Sequence, residues 1–157
     1  MPWQCLYFLP DPQGQGSLRP TFSPARVNGG GGAISLSSGG PLNGSVNVTN
    51  STFSANVASV TGGAIYFTSS MSNTVTSCTF TLNRQTNSGS SGGGFGVAAG
   101  SVTLRSTIIA NNTRADGGQS DITTTAGTVI ATSSFNLIGT GGAGGLTNGV
   151  NNNQVGI

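Results

Sequence analysis

Gly62-Gly63-Ala64-Ile65 recurs upstream as Gly31-Gly32-Ala33-Ile34 and, in looser form, downstream as Gly92-Gly93-Gly94-Phe95. The starts lie about thirty residues apart, a period that marks a stacked repeat array. A second landmark follows each start: Phe53-Ser54-Ala55-Asn56, Phe80-Thr81-Leu82-Asn83 and Ile109-Ala110-Asn111-Asn112. A partial fourth lap reads Asp121-Ile122-Thr123, then Val129-Ile130, then Phe135-Asn136-Leu137-Ile138.

Three short strands are expected in each lap. They fall at 33–36, 45–48 and 51–53, then 64–67, 74–76 and 78–80, then 95–98, 101–104 and 106–109, and last 122–124, 128–130 and 133–135. Apolar positions then align in columns: Ile34, Ile65, Phe95, Ile122; Val48, Val75, Leu104, Ile130; Phe53, Phe80, Ile109, Phe135. A strand of three or four residues buries too little to offset its own ordering entropy. If each lap lies on the one below, every strand gains backbone partners about 4.8 Å above and below. The expectation is an all-β chain, a right-handed parallel β-helix (solenoid) of about four turns with three short strands per turn. Gly pairs suit the corners, because Gly reaches positive φ without strain. The Asn column at Asn56, Asn83 and Asn112 suits left-handed corners too, and stacked amides can bond from lap to lap. Variable stretches such as 37–44 and 86–91 become outward loops.

The composition agrees with this reading and excludes several functions. Charged residues make up 5% of 157, with no Lys, Glu or His. The cations are Arg19, Arg26, Arg84, Arg105 and Arg114; the acids are Asp11, Asp116 and Asp121. A scattered net charge of +2 is no nucleic-acid footprint, which needs clustered Lys and Arg. Val, Ile and Thr are plentiful, which favours strands. Cys5 and Cys78 do not make a disulfide framework. Cys78 falls where other laps carry Ser51, Thr107 and Ser133, so a small residue at a crowded corner is expected. No apolar run is long enough for a membrane helix, and Met1 to Pro10 lacks the positive start of a signal peptide.

Three regions follow. Residues 1–28 hold Trp3, Tyr7 and most of the prolines and do not share the repeat. They read either as a cap, with Trp3, Leu6, Tyr7, Phe8 and Leu9 covering the lower end, or as a disordered leader or false start. Residues 29–145 are the repeats. Residues 146–157 are a Gly/Asn-rich tail.

The alternation of Gly-Gly-Ala-Ile with Phe-x-x-Asn between Gly31 and Asn112 resembles the repeats of the polymorphic outer-membrane protein family. The stretch from Ser106 to Gly139 is similar to the closing laps of bacterial secreted β-helix repeat proteins. The resemblance implies a secreted or cell-surface protein associated with the bacterial outer membrane, often adhesive, of which this chain is a fragment. It implies host or matrix surface molecules or carbohydrate as partners, and it carries over no catalytic residue. An open strand edge at the upper end would favour self-association.

Other signals are weaker. Gly139-Thr-Gly-Gly-Ala-Gly144 fits the dinucleotide fingerprint G-x-G-x-x-G, but no helix and no acid follow it. Gly117-Gly-Gln-Ser-Asp121 lacks the spacing of calcium-binding nonapeptides, and Asp116 with Asp121 offers too few oxygens, so both read as a solvated loop. Carbohydrate-active β-helix enzymes, such as polysaccharide lyases, need paired carboxylates or a calcium cluster with a base. Arg105 with Asp116 and Asp121 is the only charge grouping. A ligand- or ice-binding reading of Thr74-x-Thr76, Thr79-x-Thr81 and Thr123-x-Thr125 expects at least two pairs on one outward face. Glycosylation sequons such as Asn47-Val-Thr49 are uninformative in so Asn- and Thr-rich a chain. The expectation is a non-enzymatic scaffold, adhesin-like, with no catalytic, cofactor or metal residue assigned.

Overall fold

The computed structural model describes residues 32–36, 45–89 and 92–157. The expected leader 1–28, with Cys5, and the loop 37–44 lie outside the described residues.

The strands are short, as a Gly-, Ser- and Thr-rich chain dictates. The first lap contributes β1 (Ile34–Leu36), β2 (Asn47–Thr49), β3 (Thr52–Ser54) and β4 (Val57–Ala58). The second contributes β5 (Ile65–Phe67), β6 (Ser72–Thr76), β7 (Thr79–Thr81) and β8 (Arg84–Gln85). The third contributes β9 (Phe95–Val97), β10 (Ser101–Arg105) and β11 (Ile108–Ala110). Then come β12 (Ile122–Thr124), β13 (Thr128–Val129), β14 (Leu137–Ile138), a 3-10 turn at Val150–Asn152 and β15 (Gln154–Val155).

Each strand pairs in parallel with its counterparts one lap away. The first sheet runs β1-β5-β9-β12, the second β2-β6-β10-β13, and the third β3-β7-β11-β14-β15. The fold is therefore an all-β parallel solenoid. A small fourth sheet, β4-β8, was not anticipated. Residues 146–157, expected as a tail, supply the last rung of the third sheet through β15.

The register places like side chains in columns. Ile34, Ile65, Phe95 and Ile122 align in the first sheet. Val48, Val75 and Leu104 align in the second, and Phe53, Phe80 and Ile109 in the third. Phe53 and Phe80 stack with centroids 4.8 Å apart and rings within 1° of parallel. Phe80 meets Phe95 edge-on at 5.5 Å, and Phe95 meets Phe67 at 5.4 Å. This aromatic spine joins the third sheet to the first through the centre of the core.

The fourth lap departs from expectation. Ile138, not Phe135, lies on Ile109, and Val155 follows it. Ile130 does not stack on Leu104; Ser133 takes that rung, its Oγ accepting the Leu104 N–H at 3.0 Å. The cause is a local insertion. Val102 pairs with Val129, 27 residues on, whereas Leu104 meets Ser133, 29 residues on. The extra residues turn back at Ile130, whose carbonyl accepts the Ser133 N–H. Phe135 is thereby pushed onto a corner and left 63% exposed.

The Gly pairs divide their work. Gly62 and Gly92 adopt φ of 69° and 84°. Their successors serve close approach instead: a Cβ on Gly63 would collide with the Gly93 carbonyl oxygen of the next lap.

Candidate functional site

The polar residues singled out in the sequence mostly work inside the stack. Asn83 Oδ1 accepts the Asn56 N–H at 3.0 Å and its Nδ2 at 2.8 Å. Asn83 Nδ2 donates to the Phe53 carbonyl at 2.9 Å and to Asn112 Oδ1 at 2.9 Å. Asn112 continues the ladder into Asp121, donating to its Oδ1 from N at 3.0 Å and from Nδ2 at 2.9 Å. Asp121 Oδ2 accepts the Gly141 N–H at 3.0 Å. Asp121 is thus fully buried, not in a solvated loop as expected. The reason is that a carboxylate can accept at both oxygens where the ladder meets a backbone donor.

A second ladder, at the corner between the second and third sheets, was only half visible. It runs Ser51, Cys78, Thr107, Asn136, Asn153; the expected fourth member, Ser133, is displaced by the insertion. Thr107 N–H donates to Asn136 Oδ1 at 3.0 Å, and Asn136 Nδ2 donates to Asn153 Oδ1 at 2.9 Å. Asn153 Nδ2 closes it on the Ser133 carbonyl at 2.8 Å. Cys78 is buried as expected, its thiol directed at the Thr76 carbonyl at 3.2 Å. Burial raises its pKa above the ordinary 9.0, against a smaller lowering by backbone hydrogen bonds.

The charged residues do not assemble. Arg114 pairs with Asp116 at 2.9 Å across an exposed turn. The Gly118 N–H and then Arg114 hold the Asp116 carboxyl below its ordinary 3.8. Arg105 ends β10 on the second sheet, while Asp121 is buried immediately before β12 of the first, against Asn112. Among the described residues Arg105 forms no ion pair with either Asp. The Gly139–Gly144 fingerprint is followed by turns, and its Gly141 and Ala143 backbones pack on Asp121 and Ile122.

The Thr pairs also disperse. Thr74 and Thr76 lie in β6 of the second sheet, Thr79 and Thr81 in β7 of the third, and Thr123 in β12 of the first. The expected alignment of two pairs on one face is therefore not met. Their nearest equivalents are Asn47-x-Thr49 below β6 and Thr52-x-Ser54 below β7.

One feature of the surface is apolar. On the outer side of the third sheet, Thr52 and Thr79 are followed in register by Ile108 and Leu137. Ile108 is 43% exposed. With Phe135 and the polar Ser106, Asn152 and Gln154 they line an open hollow of about 490 Å³. Sequence reasoning missed it because Phe135 was placed inside.

No family model matches the chain, and neither a curated protein nor a solved structure does. Among the described residues no helix is long and apolar enough to cross a membrane. That statement does not bear on membrane strands.

Proposed function

We propose that the chain is a non-enzymatic scaffold segment of a secreted or cell-surface repeat protein, adhesin-like, that presents loops and sheet faces to a partner. The observation that carries this reading is the use made of its buried polar side chains. Asn83, Asn112 and Asp121 on one edge, with the half-buried Asn56 below them, and Thr107, Asn136 and Asn153 on another, are spent on lap-to-lap hydrogen bonds. A catalytic site does the reverse: it leaves such groups convergent on an open space where substrate can be held. The resemblance of Gly-Gly-Ala-Ile and Phe-x-x-Asn to outer-membrane passenger repeats supports a surface location.

The test is protease shaving of intact cells that make the chain, followed by an adhesion assay of the purified chain on matrix and glycan surfaces. Loss of the chain from intact cells and saturable adhesion are expected. Protection until lysis, or turnover of a polysaccharide into new reducing or unsaturated ends, would defeat the reading.

A further inference from the structure

We propose that the hollow on the outer third sheet binds a neutral carbohydrate, with a sugar ring seated on Phe135 and Ile108. The inference deepens the adhesive-scaffold reading and rests on it only for the idea that this face meets a partner.

Phe135 is anomalous twice over. It occupies a corner column with Asn50, Ser77, Ser106 and Asn152, all with φ between 48° and 59°. Polar and small residues suit that left-handed conformation, and a bulky aromatic there is an outlier. It is also 63% exposed, so its ring contributes little to the core. Leu82 shares both features at another corner, with φ of 58° and 63% exposure, so what sets Phe135 apart is the aromatic ring and the apolar column beside it. Beside it, the outward column of the third sheet changes from Thr52 and Thr79 to Ile108 and Leu137 on the rungs that line the hollow. Two independent departures from the repeat thus meet at one place.

The lining fixes the class of ligand. Phe135, Ile108 and Leu137 make the apolar part of the lining; Ser106, Asn136, Asn152 and Gln154 make the polar part, with hydroxyl and amide groups. No charged side chain lines it. The complement is an uncharged molecule with one C–H face and a rim of hydrogen-bonding groups, which describes a pyranose ring. The hollow is open to solvent, so a ring would lie across it rather than be enclosed. Arg105 precedes Ser106 in the chain but is outside the lining, so acidic sugars are the contrast and not the expectation.

The experiment compares the full chain with Phe135→Asn and Ile108→Thr, using an array of neutral hexose and N-acetylhexosamine oligosaccharides alongside sulfated and uronic acid counterparts. Phe135→Asn restores the residue type that Asn50 and Asn152 carry at the same corner, so it should fold with an unchanged or higher Tm. Neutral glycans are expected to bind the native chain, and Phe135→Asn to weaken them about tenfold or more, as loss of an aromatic anchor does. Phe135→Trp should retain binding. The proposal is overturned if no neutral glycan binds, if Phe135→Asn binds them equally, or if only acidic glycans bind. It is also overturned if the variant merely converts a dimer to a monomer, which would make the hollow an interface between copies. Adhesion that survives in Phe135→Asn would sink this site while leaving the scaffold reading standing.

Discussion

At the scale of the residue, the ladders make single amides decisive. Asn83 is fully buried and its side chain makes four hydrogen bonds, three to the lap below through Asn56 and Phe53 and one to the lap above through Asn112. Replacing it with Ala removes the acceptor of both Asn56 donors and the Nδ2 donor to the Phe53 carbonyl, while Asn112 Oδ1 keeps the backbone N–H of residue 83. Buried polar groups left unmet cost about 1–3 kcal/mol each, so Asn83→Ala should lose at least ~3 kcal/mol in a denaturant melt. Asp121→Asn is the subtler test. Asn presents one oxygen, but Asp121 accepts from Asn112 with one oxygen and from Gly141 with the other. One donor must then face an Nδ2 group, and a loss of about 1–3 kcal/mol is expected. A variant as stable as the native chain would show that the carboxylate is not needed. Cys78 gives a reaction-based check. Its thiol is buried and its pKa raised, so in a Cys5→Ser background it should resist thiol reagents until the chain unfolds. The contribution of Cys78 to stability is full below its ordinary 9.0 and is lost as pH rises through the raised folded value.

At the scale of the element, corners decide more than strands do. A Cβ at Gly63 would meet the Gly93 carbonyl and the Arg84 backbone, none of which is a flexible side-chain end. Gly63→Ala should therefore destabilise by about 3 kcal/mol or more, measurable as a shifted urea midpoint. By the same logic Gly117, with nothing near its absent side chain, should tolerate substitution far better despite its φ of 82°. This division of labour explains what the sequence made legible. The columns Ile34–Ile65–Phe95–Ile122 and Phe53–Phe80–Ile109 could be read because period and apolar character coincide there. The Asn ladder could be read because Asn56, Asn83 and Asn112 recur at the same period. The fourth lap could not, because Phe135 follows Ile109 by 26 residues, close to the repeat period, while an insertion after Val129 moves it one corner earlier. Asp121 was misread because it joins the ladder only nine residues after Asn112, a contact across the stack that periodicity does not predict. The hollow was not legible either, because the repeat spacing puts Phe135 in the core column and its exposure follows only from the insertion.

At the scale of the whole molecule, stability should be distributed along one axis. Each lap touches only its neighbours, so the stack behaves as a row of coupled units. Strands β6, β7 and β10 have hydrogen-bonded partners on both sides, whereas β2, β3 and β15 each end a sheet. Cooperative opening from an end costs only one interface, whereas opening at the middle breaks two. Amide exchange should accordingly be slowest at Val75, Phe80, Val102 and Ile109 and faster towards Val48 and Val155. Truncating the centre of the aromatic spine provides the matching perturbation. Phe80 is fully buried between Phe53 and Phe95, and Phe80→Ala should cost about 3–5 kcal/mol. Because that ring couples the first two laps to the third, the loss should appear as faster exchange over β2 and β3 as well as β7, while β14 and β15 keep their protection. Uniform acceleration along the whole chain would mean that the laps unfold as a single unit, and the nearest-neighbour description would have to be abandoned.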